Sequence, residues 1–71
     1  MTRLGLDLRG LPPGEPLVRL LGALSSLGTD EELAALLPDP GPYYAVIADH
    51  GCECEDGARG ADRVLVIRRR L

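Results

Sequence analysis

The chain has 71 residues, a net charge of −3, 45% hydrophobic and 27% charged residues, a profile that excludes a disordered chain and leaves room for one domain, 1–71, around one core. A chain of this length buries only ~60% of the surface it exposes when unfolded, too little to build a deep cleft. The acidic balance opposes non-specific nucleic-acid binding, which depends on neutralising phosphates. No apolar run approaches the ~20 residues of a membrane span and no secretory signal is visible, so a cytoplasmic protein without membrane contact is expected.

All eight basic residues are Arg, and Lys, Asn, Gln, Phe and Trp are absent. Bias toward GC-rich codons accounts for this most simply. The missing amides and abundant Pro also suit a thermophile, because those amides are thermolabile and Pro stiffens loops.

Leu4, Leu6 and Leu8 alternate with Gly5, Asp7 and Arg9, which predicts a half-buried strand. Gly10 to Gly14 break it. Glu15 precedes Pro16 and is held out of the α region, so Glu15 is expected as the N-cap of a helix with Pro16 at its first position. Leu17, Leu20, Leu21, Leu24 and Leu27 then recur at helical spacing, and Gly28 is a natural stop.

The next stretch carries two conflicting patterns. Thr29 and Glu32 fit a capping box, with Leu33, Leu36 and Leu37 as a helical face. Leu33, Ala35 and Leu37 also alternate, and Pro38, Pro40 and Pro42 cut the segment short, which suits a strand. Local propensity alone favours helix. Beyond it, Tyr43, Val46, Ile47 and His50 share one face of a short helix, 42–50, ended by Gly51. Residues 52–56 are expected as a short extended segment and 57–61 as a flexible turn. Residues 63–69 carry Val64 to Ile67, a β-branched run typical of a strand buried on both faces. The last two segments read as a hairpin.

The opening Leu6-Asp7-Leu8-Arg9-Gly10-Leu11-Pro12-Pro13-Gly14-Glu15-Pro16 resembles that of the TusA-like (SirA-like) small domains. Those begin with a strand, Leu-Asp-x-x-Gly-Leu, and then Cys-Pro-x-Pro at the start of the first helix. The likeness covers nearly the whole chain. It is closer to an uncharacterised branch, a domain of unknown function with a Pro-Pro-x-Pro-type turn in place of the cysteine motif. The resemblance implies a βαβαββ order and a two-layer α/β (α+β) sandwich, with two helices on one face of a four-stranded mixed sheet. It therefore implies that residues 30–37 are a strand.

In the sulfur carriers the motif cysteine sits at a helix N-terminus, where the dipole and free N–H groups stabilise a thiolate or persulfide. Pro13 holds that position here, Gly14 stands for the first motif proline and Pro16 for the second. The frame is kept and the nucleophile is missing. The resemblance thus implies a non-enzymatic interaction or adaptor module that docks another protein at Pro12, Pro13, Gly14, Glu15 and Pro16, with no cofactor.

Cys52 and Cys54 are the remaining chemical feature. As strand neighbours at i and i+2 they face one side, and their Cα spacing near ~7 Å argues against a bridge between them. With His50 they could gather three ligands for zinc or copper(I), and the pair could carry sulfur. No fourth ligand is evident and the spacing is not a paired C-x₂-C pattern. The competing account treats both as small hydrophobes in the third strand; in the uncharacterised branch, aromatics tend to hold these positions.

Other candidates are weaker. Ser25, Ser26 and Thr29 lack a base beside them. The acidic Asp30, Glu31 and Glu32 are expected to decorate a strand entrance. Tyr43 is expected in the core and Tyr44 at the surface, open to a partner. Arg68, Arg69 and Arg70 are expected as a solvated end, or as an RNA contact if the acidic charge is overcome.

Overall fold

The alternation around Leu4 and Leu6 produces the expected strand, β1 (Thr2–Asp7), in a computed structural model that describes residues 2–59 and 62–70. Helix α1 (Glu15–Ser26) follows, then β2 (Glu31–Leu37). A 3-10 turn, Gly41–Tyr43, leads into α2 (Tyr44–Asp49). The chain ends with β3 (Cys52–Arg59) and β4 (Asp62–Arg69). The order is βαβαββ and the sheet order is β1-β2-β4-β3. β1 runs parallel to β2, while β4 is antiparallel to both β2 and β3.

The register decides which face each side chain takes. Leu4 pairs with Leu33 and Leu6 with Ala35; Leu33 pairs with Ile67 and Ala35 with Leu65; Ile67 pairs with Cys54. These residues face the helices. Leu20, Leu24 and Leu27 of the α1 stripe and Ile47 of α2 join them in one buried cluster. Both helices therefore cover the same face, and the result is a two-layer sandwich. No helix among the described residues is long and apolar enough to cross a membrane.

Residues 31–37 are a strand. Their helical propensity yields because Leu33, Ala35 and Leu37 are all buried between neighbouring strands and the helices, a gain that outweighs local preference. The capping box is not made. Instead the Glu31 carboxylate accepts the Gly28 N–H at 2.7 Å.

Several boundaries differ from expectation. Gly14, not Glu15, is the N-cap of α1, with φ at 86°. Glu15 begins the helix and its N–H donates to the Pro12 carbonyl at 3.1 Å. The left-handed turn that aims the chain into α1 needs a residue without Cβ, and only Gly14 supplies it. The second helix starts as a 3-10 turn, and His50 caps its end rather than lying within it. β3 extends through Gly57 to Arg59, where a turn was expected; Gly60 and Ala61 of that turn lie outside the described residues. Finally, β4 is covered on one face only. Leu65 and Ile67 are buried, whereas Val64 and Val66 are half-buried on the open side. Two short helices suffice for one layer.

Candidate functional site

The proline turn before α1 lies at the carboxyl ends of the parallel strands β1 and β2. In open α/β sheets this is the edge where ligands gather. A hollow of ≈ 280 Å³ opens there. One wall is Gly10, Leu11 and Pro16; the other is Pro38, Pro42 and Tyr43; Leu8 and Leu37 form the floor. Two proline-rich segments distant in sequence thus converge on one place. Asp39 is its sole carboxylate among the described lining residues, and there is no thiol, aliphatic hydroxyl or imidazole there.

Of the turn residues singled out by sequence, only Pro16 lines the hollow. Pro12, Pro13 and Gly14 are exposed beside it. Glu15 is tied along the helix to Arg19 at 3.4 Å. Asp7 receives the Arg9 guanidinium on both oxygens at 2.9 Å and the Arg9 backbone N–H at 3.0 Å. These hydrogen bonds, the side-chain ones first, lower the Asp7 pKa to about 2.

His50, Cys52 and Cys54 lie at the opposite end of the sheet. Leu37 pairs with Arg63 at one end of β4, and Cys52 pairs with Arg69 at the other. Six residues of strand separate them by ~20 Å. Both cysteines are free and face the helices. Cys52 is 1% exposed, and its thiol lies 3.6 Å from the His50 carbonyl. The His50 Nδ1–H donates to the Val46 carbonyl at 2.9 Å in the tautomer that carries the proton there. Burial, followed by the neighbouring Asp56 charge, raises the Cys54 pKa and keeps the thiol protonated. Among the described residues, no group of three His, Cys, Asp or Glu side chains could hold a metal ion.

Arg69 was hidden in the terminal arginine run. Its side chain turns under the helices rather than into solvent. The guanidinium donates to the carbonyls of Leu24 at 2.6 Å, Leu27 at 2.9 Å and His50 at 2.8 Å. It satisfies carbonyls at the C-terminal ends of both helices at once. The alternation of β4 held the signal, since Arg69 shares the face of Leu65 and Ile67. Tyr44 is likewise engaged: its hydroxyl donates to Asp56 at 2.5 Å, a bond that raises its pKa.

The open face of the sheet carries a second hollow, of ≈ 360 Å³, over Gly5, Ala34, Leu36 and Val64. At one edge of this face Glu32 is 7% exposed. Its carboxylate is paired with Arg3 and, at 3.8 Å, with Arg68. Arg68 also reaches Glu55 at 3.3 Å.

No known protein family, curated protein or solved structure matches the chain.

Proposed function

We propose that this protein is a TusA-like adaptor: a non-enzymatic module that holds a segment of another protein in the proline-walled hollow. The observation that carries the reading is the lining itself. The hollow lies beside Pro13, which stands where the resembled carriers have their cysteine, and its described lining offers apolar walls and one carboxylate, with no thiol or aliphatic hydroxyl. Such a lining suits an apolar side chain with a cation nearby, the cation meeting Asp39. The βαβαββ order and the Leu6–Pro16 opening support the family assignment, and a cytoplasmic setting belongs to the same proposal. The buried Cys52 and the protonated Cys54 give no support to sulfur or metal carriage at that end of the sheet.

Screening the chain against a random-peptide display library tests this. Enriched peptides are expected to combine an apolar residue with Lys or Arg. On titration they should shift the amide resonances of Leu11, Asp39 and Tyr43. Asp39→Asn keeps the acceptor for the Gly41 N–H and is expected to weaken binding ~2- to 5-fold, as for the loss of an exposed ion pair. No enrichment, or shifts confined to another face, would sink the proposal.

A further inference from the structure

The open face of the sheet shows a charge pattern with a direction. Across the strand order, Arg3 pairs with Glu32, Glu32 with Arg68, and Arg68 with Glu53. The row therefore reads plus, minus, plus, minus from β1 to β3. It is antisymmetric about the line between β2 and β4. A two-fold axis parallel to the strands along that line sets Arg3 of one copy over Glu53 of the other, and Glu32 over Arg68. Every charge of this row meets its opposite.

The same axis matches the apolar centre. Ala34 pairs with Val66 in the sheet, and Leu36 with Val64. The rotation lays each over its counterpart in the other copy. Gly5 and Glu55 occupy the flanks of one row, so the hollow above Gly5 receives the second copy's Glu55. A two-fold across the strands would instead place Glu32 and Arg68 on Leu36 and Val64. Charge and size thus select one axis.

We propose that the open face is a homodimer interface, with two sheets stacked about this axis. The occupant is a second copy of this chain, because the surface complements itself under a closed symmetry operation. The packing is of the aligned sheet-on-sheet kind. Four strands ~4.8 Å apart and six residues of ~3.3 Å give a face of about 400 Å² per copy. That is small for a specific interface, so the dimer is weak and concentration-dependent. The inference stands apart from the adaptor reading, which concerns the end of the sheet.

Sedimentation equilibrium over a concentration series, with amide shifts followed on dilution, tests it. A monomer–dimer equilibrium is expected, with dilution shifts centred on Ala34, Leu36, Val64 and Val66. Val66→Arg adds a charge at the centre without touching the core and should weaken association at least ~10-fold. Arg3→Glu alone and Glu53→Arg alone each oppose like charges and should weaken the dimer. Mixed one to one, they should recover it, since both contacts of the heterodimer are then complementary. Circular dichroism establishes that each variant is folded. Should Arg3→Glu fail to fold, Val66→Arg and the dilution shifts still decide. A chain that stays monomeric at millimolar concentration overturns the proposal. So does a dimer unaffected by Val66→Arg, or folded single charge variants that dimerise no better mixed than alone.

Discussion

Arg69 shows how much one side chain can carry in a small domain. Its three carbonyl partners lie at the ends of two helices, and the Leu24 carbonyl also accepts the Leu27 N–H at 3.3 Å. Arg69→Ala removes three hydrogen bonds beneath the helix ends at once. The expected cost is about 2–3 kcal/mol, which for a domain of this size lowers Tm by roughly 10–20 °C; a thermal melt within 2–3 °C of wild type would show that the cap contributes little. Gly14 is a second singular residue. Its φ of 86° lies where a Cβ costs about 1–2 kcal/mol, although the space around it is open. Gly14→Ala is expected to lower stability by about that amount in a denaturant titration, and a neutral result would deny the left-handed cap. Asp7 supplies a titration to measure. Its folded pKa of about 2 lies below the ordinary carboxylate value of ~3.9. Its contribution to stability is therefore present above about pH 4 and fades as pH falls toward 2. Carboxyl NMR should find it still ionised at pH 3; a midpoint near 4 would mean that the Arg9 pair is not held in solution.

At the scale of elements, α1 was legible because its stripe has one period and clear ends. Yet only Leu20, Leu24 and Leu27 are fully buried, while Leu17 and Val18 lie exposed on the outer side. The two faces should respond differently to truncation. Leu24→Ala, at a position 0% exposed, is expected to cost about 2–5 kcal/mol, a large part of the stability such a domain has. Val18→Ala, at a position 64% exposed, should change stability by less than about 0.5 kcal/mol in the same assay. Equal effects would place the helix in the wrong rotation. β2 was less legible. Thr29, Glu32 and the three leucines satisfy helical rules locally, and nothing within the segment records that two strands will flank it. Tertiary pairing with β1 and β4 settled the matter, as the resemblance anticipated and propensity did not. The candidate site divides in the same way. The turn before α1 could be found from Pro and Gly spacing, whereas the opposite wall of its hollow, from Pro38 to Tyr43, depends on β2 being a strand. Arg69 escaped because a run of three arginines reads as a charged tail unless the alternation of Leu65 and Ile67 is carried on to it.

For the molecule as a whole, one layer of helix on one layer of sheet leaves two kinds of unpaired surface: the open face and the edges at β1 and β3. The edges are a liability because they can recruit further strands. On β1, the Thr2 N–H donates to Asp30 and the Leu8 N–H to Leu36. By alternation, the N–H groups of Arg3, Gly5 and Asp7 point away from β2. Charge at Arg3 and Asp7 and a length of six residues guard this edge. Stacking through the open face does not use it. Hydrogen exchange can therefore separate the two modes of association. The slowest amides are expected in β2 and β4, which have neighbours on both sides, with Ala35, Leu65 and Ile67 among them. The amides of Arg3, Gly5 and Asp7 should exchange freely both in dilute protein and at concentrations where it associates. If they became protected as concentration rose, the copies would be joining edge to edge into a longer sheet, and the stacked arrangement would be wrong.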